Sequence, residues 1–266
     1  MIRDSSDVGK NVNWAELYDQ HPEYAQRRCE SSAARAQVEL EVQLFKLPHL
    51  LQVLGEPAAA SLIEIGCATG ELTGAFPVVD GGQKLGLDIS PLNVEAARQR
   101  FPDCRFLAGD FRTLDLAPVD VVLMSDVVEH VPDDAAFLAA AARLGRRVLV
   151  NLPLECNWLN RGRAYGPMDS SGHLRAYTLE QGLGLFDSAG LRVQRWKRVW
   201  IHETPADRLL REHRREVDGS AFSGRSVERL VKAGVYGLSK AVRPLGRAMF
   251  ASNLFVLAQS ALNGSS

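Results

Sequence analysis

An α/β fold built on a doubly wound, mostly parallel sheet is what this sequence predicts, on three observations. Short apolar stretches alternate with helix-forming ones from Ser61 to Ile201, and that alternation implies a parallel sheet with helices on both faces. The first strand, Leu62–Gly66, runs into the glycine turn Gly66-Cys67-Ala68-Thr69-Gly70. The second, Lys84–Asp88, ends on a carboxylate. Glycines let the backbone approach a ligand closely, with a helix opening behind them. An acid closing the next strand can accept hydrogen bonds from two ribose hydroxyls. Together these features describe a nucleoside-binding crevice at the carboxyl edge of the sheet.

The elements follow in order. Trp14 to Tyr24 is a short aromatic segment, expected either in the core or as a lid over the crevice. Val38, Val42, Phe45, Leu47, Leu51 and Leu54 recur at helical spacing, so Ser31–Leu54 reads as a helix interrupted near Pro48. A helix begins after Gly70. Ser90 is a good N-cap with Pro91 in the first helical position, opening a helix to about Arg100. Cys104–Ala108 and Val119–Ser125 are the third and fourth strands, and Asp133–Leu144 is an alanine-rich helix. Arg147–Leu152 is the fifth strand, stopped by Pro153. Thr178 caps a helix ended by Gly190, and Leu191 to Ile201 is the sixth strand. Two stretches exceed the minimal pattern: Leu154–Tyr177 and 203–250. The second carries ten Lys and Arg against six Asp and Glu, a local +4, with apolar residues at amphipathic spacing. The expected organisation is a helical cap at 1–58, a nucleoside-binding domain at 59–202 and 251–262, and a basic helical insertion at 203–250.

Composition narrows the classes. The chain has 266 residues, 46% hydrophobic and 24% charged, with a net charge of −1. That is ordinary globular composition with no general pull toward nucleic acid or membrane, so no nucleic-acid partner is expected. No apolar run reaches the length of a transmembrane segment, and Met1–Asp7 has no apolar secretory core. Cys29, Cys67, Cys104 and Cys156 form no C-x-x-C pair, so neither a zinc site nor a disulfide framework is expected, and no metal ligand is assigned. A cytoplasmic location is the reading. Cys67, in the ligand loop, is a candidate for alkylation.

The dinucleotide fingerprint G-x-G-x-x-G is not met, because Ala68 stands at the middle glycine and Glu71 at the last. A carboxylate at Glu71 would repel a pyrophosphate at the helix start. The spacing Glu64-x-Gly66-x-x-x-Gly70 instead resembles motif I of the class I S-adenosylmethionine (SAM) methyltransferases. Further matches follow in register: Asp88 and Ile89, then Phe106–Phe111, then Val119–Val131 with its Glu129-His130, then Gly172-His173-Leu174-Arg175. The match covers residues 60–200 and a last strand near 252–260. The resemblance implies a seven-stranded sheet of order 3-2-1-4-5-7-6, with 203–250 inserted between strands six and seven. It implies SAM as cofactor and S-adenosylhomocysteine as product. The implied cofactor residues are Glu64, Gly66, Cys67, Ala68, Gly70, Asp88, Ile89, Asp110, Phe111 and Ser125. Asp88 would take the ribose, Ile89 one adenine face and Asp110 the adenine amino group. Ala68, where many members have glycine, is a small departure.

The acceptor should face residues after strands four and five, which brings in Ser125, Asp126, Glu129, His130, Asn151, Glu155, Trp158, Tyr165 and His173. Histidine suits a general base at neutral pH, so His130 and His173 are the catalytic candidates. Trp158, Tyr165 and His173 read as a pocket wall. The resulting expectation is methylation of a small molecule, at a sugar or secondary-metabolite hydroxyl. The alternatives are a phosphorylated or lipid-linked acceptor held by the basic insertion, and a non-catalytic SAM-binding partner protein.

Overall fold

The computed structural model describes residues 13–20, 22–29, 33–55, 59–158, 160–166, 169, 172–207, 209, 237–238 and 242–260. Seven strands form one sheet in the order β3-β2-β1-β4-β5-β7-β6. They are β1 Ala59–Ile65, β2 Val78–Asp88, β3 Arg105–Ala108, β4 Val119–Ser125, β5 Gly145–Leu154, β6 Leu191–Val199 and β7 Ser252–Ser260. The first five pair in parallel, and β7 runs antiparallel between β5 and β6.

The two-residue period of the strands divides their side chains between two cores. Ile63, Ile65, Val122, Met124, Val148 and Val150 point to one face, where α7 (Asp134–Ala141) and α8 (Leu179–Ser188) cover them with Phe137, Leu138, Leu185 and Phe186. Leu62, Val121, Leu123, Leu149, Phe255 and Leu257 point to the other. There Val42, Phe45, Leu50, Val53 and Leu54 pack on them. Each such fully buried side chain contributes about 1.5–3 kcal/mol. This explains why the central strands are apolar throughout rather than alternating.

Three local readings are refined. The stretch before the sheet does not break at Pro48. α3 (Ala33–Glu41) passes through a π turn, Val42–Lys46, directly into α4 (Leu47–Leu54). The Leu47 N–H bonds the Val42 carbonyl five residues back. Widening the turn there lets the chain absorb a proline that could not donate to the carbonyl four residues behind it. β2 begins at Val78, well before Lys84, because Gly81-Gly82 forms an irregularity in the β1–β2 ladder rather than a turn. The alanine-rich helix is shorter than expected and starts one residue later, with Asp133 as its cap: its Oδ1 accepts from the Ala136 N–H at 3.1 Å. The caps at Ser90 and Thr178 form as the sequence predicts; Thr178 and Gln181 make a reciprocal capping box.

Two short helices, α1 (Trp14–Gln20) and α2 (Pro22–Arg28), lie against α6 (Pro91–Arg100) at the carboxyl edge of the sheet. Most of the basic stretch at 203–250 lies outside the described residues, as do 1–12. No described helix is long and apolar enough to cross a membrane.

Candidate active site

A cavity of about 270 Å³ opens where β1, β2 and β4 end. Its floor is the β1 turn. Gly66 has φ +76° and a Cβ placed there would meet Val127 Cγ2 at 2.4 Å, so only glycine fits. Ala68 also adopts a positive φ, +45°, in a region that costs an L-residue roughly 1–2 kcal/mol. Its N–H donates to Asp88 Oδ2 at 2.8 Å, which ties the strained turn to the end of β2. Asp88 Oδ1 accepts from the Ser90 N–H at 2.9 Å and from Asn93 Nδ2 at 3.4 Å. Burial raises the Asp88 carboxyl above its ordinary range, against the bonds from Ser90 and Ala68.

Of the residues singled out from sequence, Gly66, Ala68, Asp88, Ile89, Asp110, Phe111 and His130 line this cavity. Asp110 is already engaged: it caps the turn Phe111–Thr113 and takes the Arg112 guanidinium at 2.5–3.0 Å, which holds its carboxyl below the usual range. Glu64, Cys67, Gly70, Ser125 and His173 do not line the cavity and instead support it from behind. Gly70 closes on Ala97, Phe101 and Phe106. Ser125 Oγ donates to Asp126 Oδ2 at 2.9 Å and accepts from Asn151 Nδ2 at 3.0 Å. Cys67 packs with Val94, Ala97 and Phe106, and burial pushes its thiol well up, so this is a protected thiol and not a target for alkylation.

Glu64 accepts a hydrogen bond from the Thr73 hydroxyl. Burial pushes its carboxyl up to about 8, the Thr73 bond opposing and the nearby Glu71 charge adding. A raised folded-state value means that Glu64 contributes most below the unfolded carboxylate range. That contribution is lost as pH rises to about 8. Glu64→Gln is therefore expected to leave stability nearly unchanged at pH 4. Its advantage over the parent chain should grow steadily toward pH 8, as read by urea midpoints across that range.

Glu71 does not act as the spacing predicts. It is buried, bonded by the Thr69 hydroxyl and paired to Arg100 at 2.5 Å, so its charge is neutralised before it reaches the cavity. The carboxylates that line the cavity are Asp88, Asp110, Asp126 and Asp133, with Asp110 paired to Arg112 and Asp126 to Lys46.

The sequence offered Trp14–Tyr24 as core or lid and Asp126 as facing the acceptor, but not the contacts that hold them. Trp14, Tyr18 and Tyr24 all face the cavity, and what holds them there is a latch. Asp19 accepts from the Ser90 hydroxyl, and Arg28 bridges the Asp19 carbonyl at 2.6 Å and Asn93 Oδ1 at 2.8 Å. Asp126 lines the cavity at φ +55°. Burial alone would raise its carboxyl, but Lys46 at 2.8 Å and the Ser125 hydroxyl hold it low. Lys46 stands in the π turn, and no motif marks it.

The two histidines are neighbours, ring centroids 4.7 Å apart, but only His130 reaches the cavity. His130 Nδ1 lies 3.1 Å from the Gly172 carbonyl, and a carbonyl only accepts, so Nδ1 carries the proton. Burial, then the adjacent His173, lower the His130 imidazole to about 4. His173 Nδ1 bonds Glu155 Oε2 at 2.6 Å, and Glu155 is anchored by Arg163. Trp158 is exposed and, like Tyr165, lies away from the cavity wall.

Residues 63–147 match the family model described as "Methyltransferase domain", and the sheet order, glycine turn and acid-terminated β2 are those that the resemblance to class I methyltransferases implies. Among curated proteins, a ubiquinone biosynthesis O-methyltransferase of Rhodopseudomonas palustris strain TIE-1 is 34% identical over 105 residues, 36% of this chain and 41% of that protein. A probable S-adenosylmethionine-dependent methyltransferase of Mycolicibacterium smegmatis is 29% identical over 156 residues, 50% of this chain and 58% of that protein. The matched stretch thus spans about two fifths to three fifths of these relatives. Among solved structures, magnesium protoporphyrin IX methyltransferase of Synechocystis with bound SAM superposes with TM-score 0.53 at 16% identity, covering 97% of this chain and 98% of that one. At that identity the likeness is one of fold.

Proposed function

We propose that this protein transfers a methyl group from SAM to a hydroxyl of a small-molecule acceptor. In this reading 59–202 and 251–262 bind the donor and 1–58 cover it. The observation that carries the reading is the chemistry of the cavity. Ile65, Leu87, Ile89 and Phe111 offer apolar faces to a flat base, and Asp88 offers a carboxylate at the end of β2, with Asp110 paired to Arg112 and Asp126 to Lys46. Such a lining suits a nucleoside with free ribose hydroxyls. The residues present therefore fit SAM.

SAM, when bound, supplies a methyl on a sulfonium centre, a good leaving group. Asp88 would hold the ribose hydroxyls, with its other contacts fixing it to the Ala68 and Ser90 amides. Gly66 admits the ligand against the backbone. Trp14, Tyr18 and Tyr24 exclude water from the donor side. Holding donor and acceptor in line can supply about 7–11 kcal/mol of barrier reduction. His130 faces the acceptor side of the cavity and His173 backs it. Oxygen as the methylated atom is supported by the names of the R. palustris relatives, at low identity and over part of their length.

The test is incubation with methyl-labelled SAM and a panel of catechols, phenols and sugar alcohols. Label should appear in an ether product and be lost with His130→Ala. Label in no acceptor despite measured SAM binding would favour the non-catalytic alternative.

A further inference from the structure

Behind the cavity wall stands a group that the methyl-donor reading leaves unused. Glu129 is fully buried. Its own backbone amide aside, no described group donates a hydrogen bond to either of its carboxylate oxygens. A bare carboxylate in that position is costly unless something cationic or protic meets it.

Two ring nitrogens do converge on it. His130 Nε2 lies 3.7 Å and His173 Nε2 3.8 Å from Glu129 Oε1. Both imidazoles are oriented from their far side: Nδ1 of His130 donates to the Gly172 carbonyl, and Nδ1 of His173 donates to Glu155, itself held by Arg163. His130 therefore aims its Nε2 lone pair at the carboxylate, and His173 Nε2 faces the same oxygen. Three donor atoms gathered at a buried carboxylate call for a proton or a metal ion among them. The Leu174 N–H bonds the Glu129 carbonyl at 2.9 Å, which pins the His173 segment to the Glu129 turn.

We propose that Glu129, His130 and His173 hold a divalent first-row transition-metal ion beside the acceptor. Three donors within 4.8 Å of one another, two imidazoles and one carboxylate, form a ligand set that leaves coordination positions open. Bonds of 2.0–2.2 Å at a tetrahedral centre would bring ligand atoms to roughly 3.4 Å apart. The spacings of 3.7 and 3.8 Å are within a few tenths of an ångström of that. Imidazole ligands whose other nitrogen donates to a carboxylate or a backbone carbonyl are the usual metal-site pattern, and both rings here have it. This goes against the sequence expectation of no metal, which rested on cysteine spacing alone.

The proposal deepens the reading of the same site as a methyltransferase and gives the histidines a different part in it. His130 both lines the cavity and ligates, so the ion borders the acceptor. An acceptor hydroxyl bound to it would be acidified and release its proton to solvent. The resulting oxyanion would attack the methyl carbon as the carbon–sulfur bond breaks, leaving its electron pair on sulfur.

The experiment is a Co²⁺ titration of chelator-treated full-length protein, followed by visible absorption and by competition with Zn²⁺. One Co²⁺ per chain with a ligand-field band is expected. Glu129→Gln and His173→Ala should weaken binding at least tenfold. Glu155→Ala, which leaves all three ligands in place, should weaken it about 10–100-fold through loss of the orienting partner. Circular dichroism establishes that each variant is folded. No stoichiometric binding, or binding that all three variants leave intact, overturns the proposal. Calorimetry with SAM on the same samples separates the two readings. SAM binding without metal binding retires the metal site alone; metal binding without SAM binding retires the methyl-donor reading and keeps the metal site.

Discussion

Asp88→Ala should abolish SAM binding at accessible concentrations. Two ribose hydroxyls donating to a buried carboxylate are charge-assisted bonds, each contributing about 1.5–3 kcal/mol. Losing both corresponds to roughly 10²–10⁴-fold in the dissociation constant. The carboxylate also accepts from the Ala68 and Ser90 amides, so its removal frees the positive-φ turn at Ala68 as well. Asp88→Asn separates these roles. It keeps an acceptor for one amide and loses the charge, so the turn should survive while affinity still falls. Isothermal calorimetry, with thermal unfolding as the control, reads both. Unchanged affinity in either variant would remove Asp88 from the donor site.

Arg100→Ala should be the most destabilising of the substitutions considered. Its side chain is 8% exposed and meets Glu71, 6% exposed, at 2.5 Å. Removing one partner of a buried pair costs about 3–5 kcal/mol, because the other charge stays buried without compensation. Glu71 opens the helix after the glycine turn, so the damage falls on that turn. Glu71→Gln on the Arg100→Ala background should recover a large part of the loss, since the uncompensated charge is gone. Urea denaturation measures both. A cost under 1 kcal/mol for Arg100→Ala would mean that Glu71 takes up a proton or reaches solvent. The second Arg100 partner, Glu39 at 2.6 Å, is half-exposed and adds little.

How far the sequence could be read depends on the range over which each feature is encoded. The strands were legible because apolar runs and their caps are local; β4 came out at Val119–Ser125 as expected. The edge of the crevice was legible because Gly66 and Asp88, which both line the cavity, each answer a local demand, one for a positive φ, the other for an acid at a strand end. Glu71 was misread because a charge at a helix start looks free until Arg100, twenty-nine positions on, is seen to cover it. The π turn at Val42–Lys46 was read as a break because a proline signals interruption without saying how the helix accommodates it.

What the sequence by itself determined is the α/β architecture, the carboxyl-edge crevice and the acid that closes β2, since period, caps and glycine placement act over a few residues. Only the tertiary structure decided that Asp19 and Arg28 latch three aromatic rings over the cavity, that Lys46 holds Asp126, and that His130 and His173 turn the same nitrogen toward a buried Glu129. Those contacts join segments up to eighty residues apart. Their energies depend on distance, burial and which lone pair faces which proton, and none of these is written in any one stretch of chain.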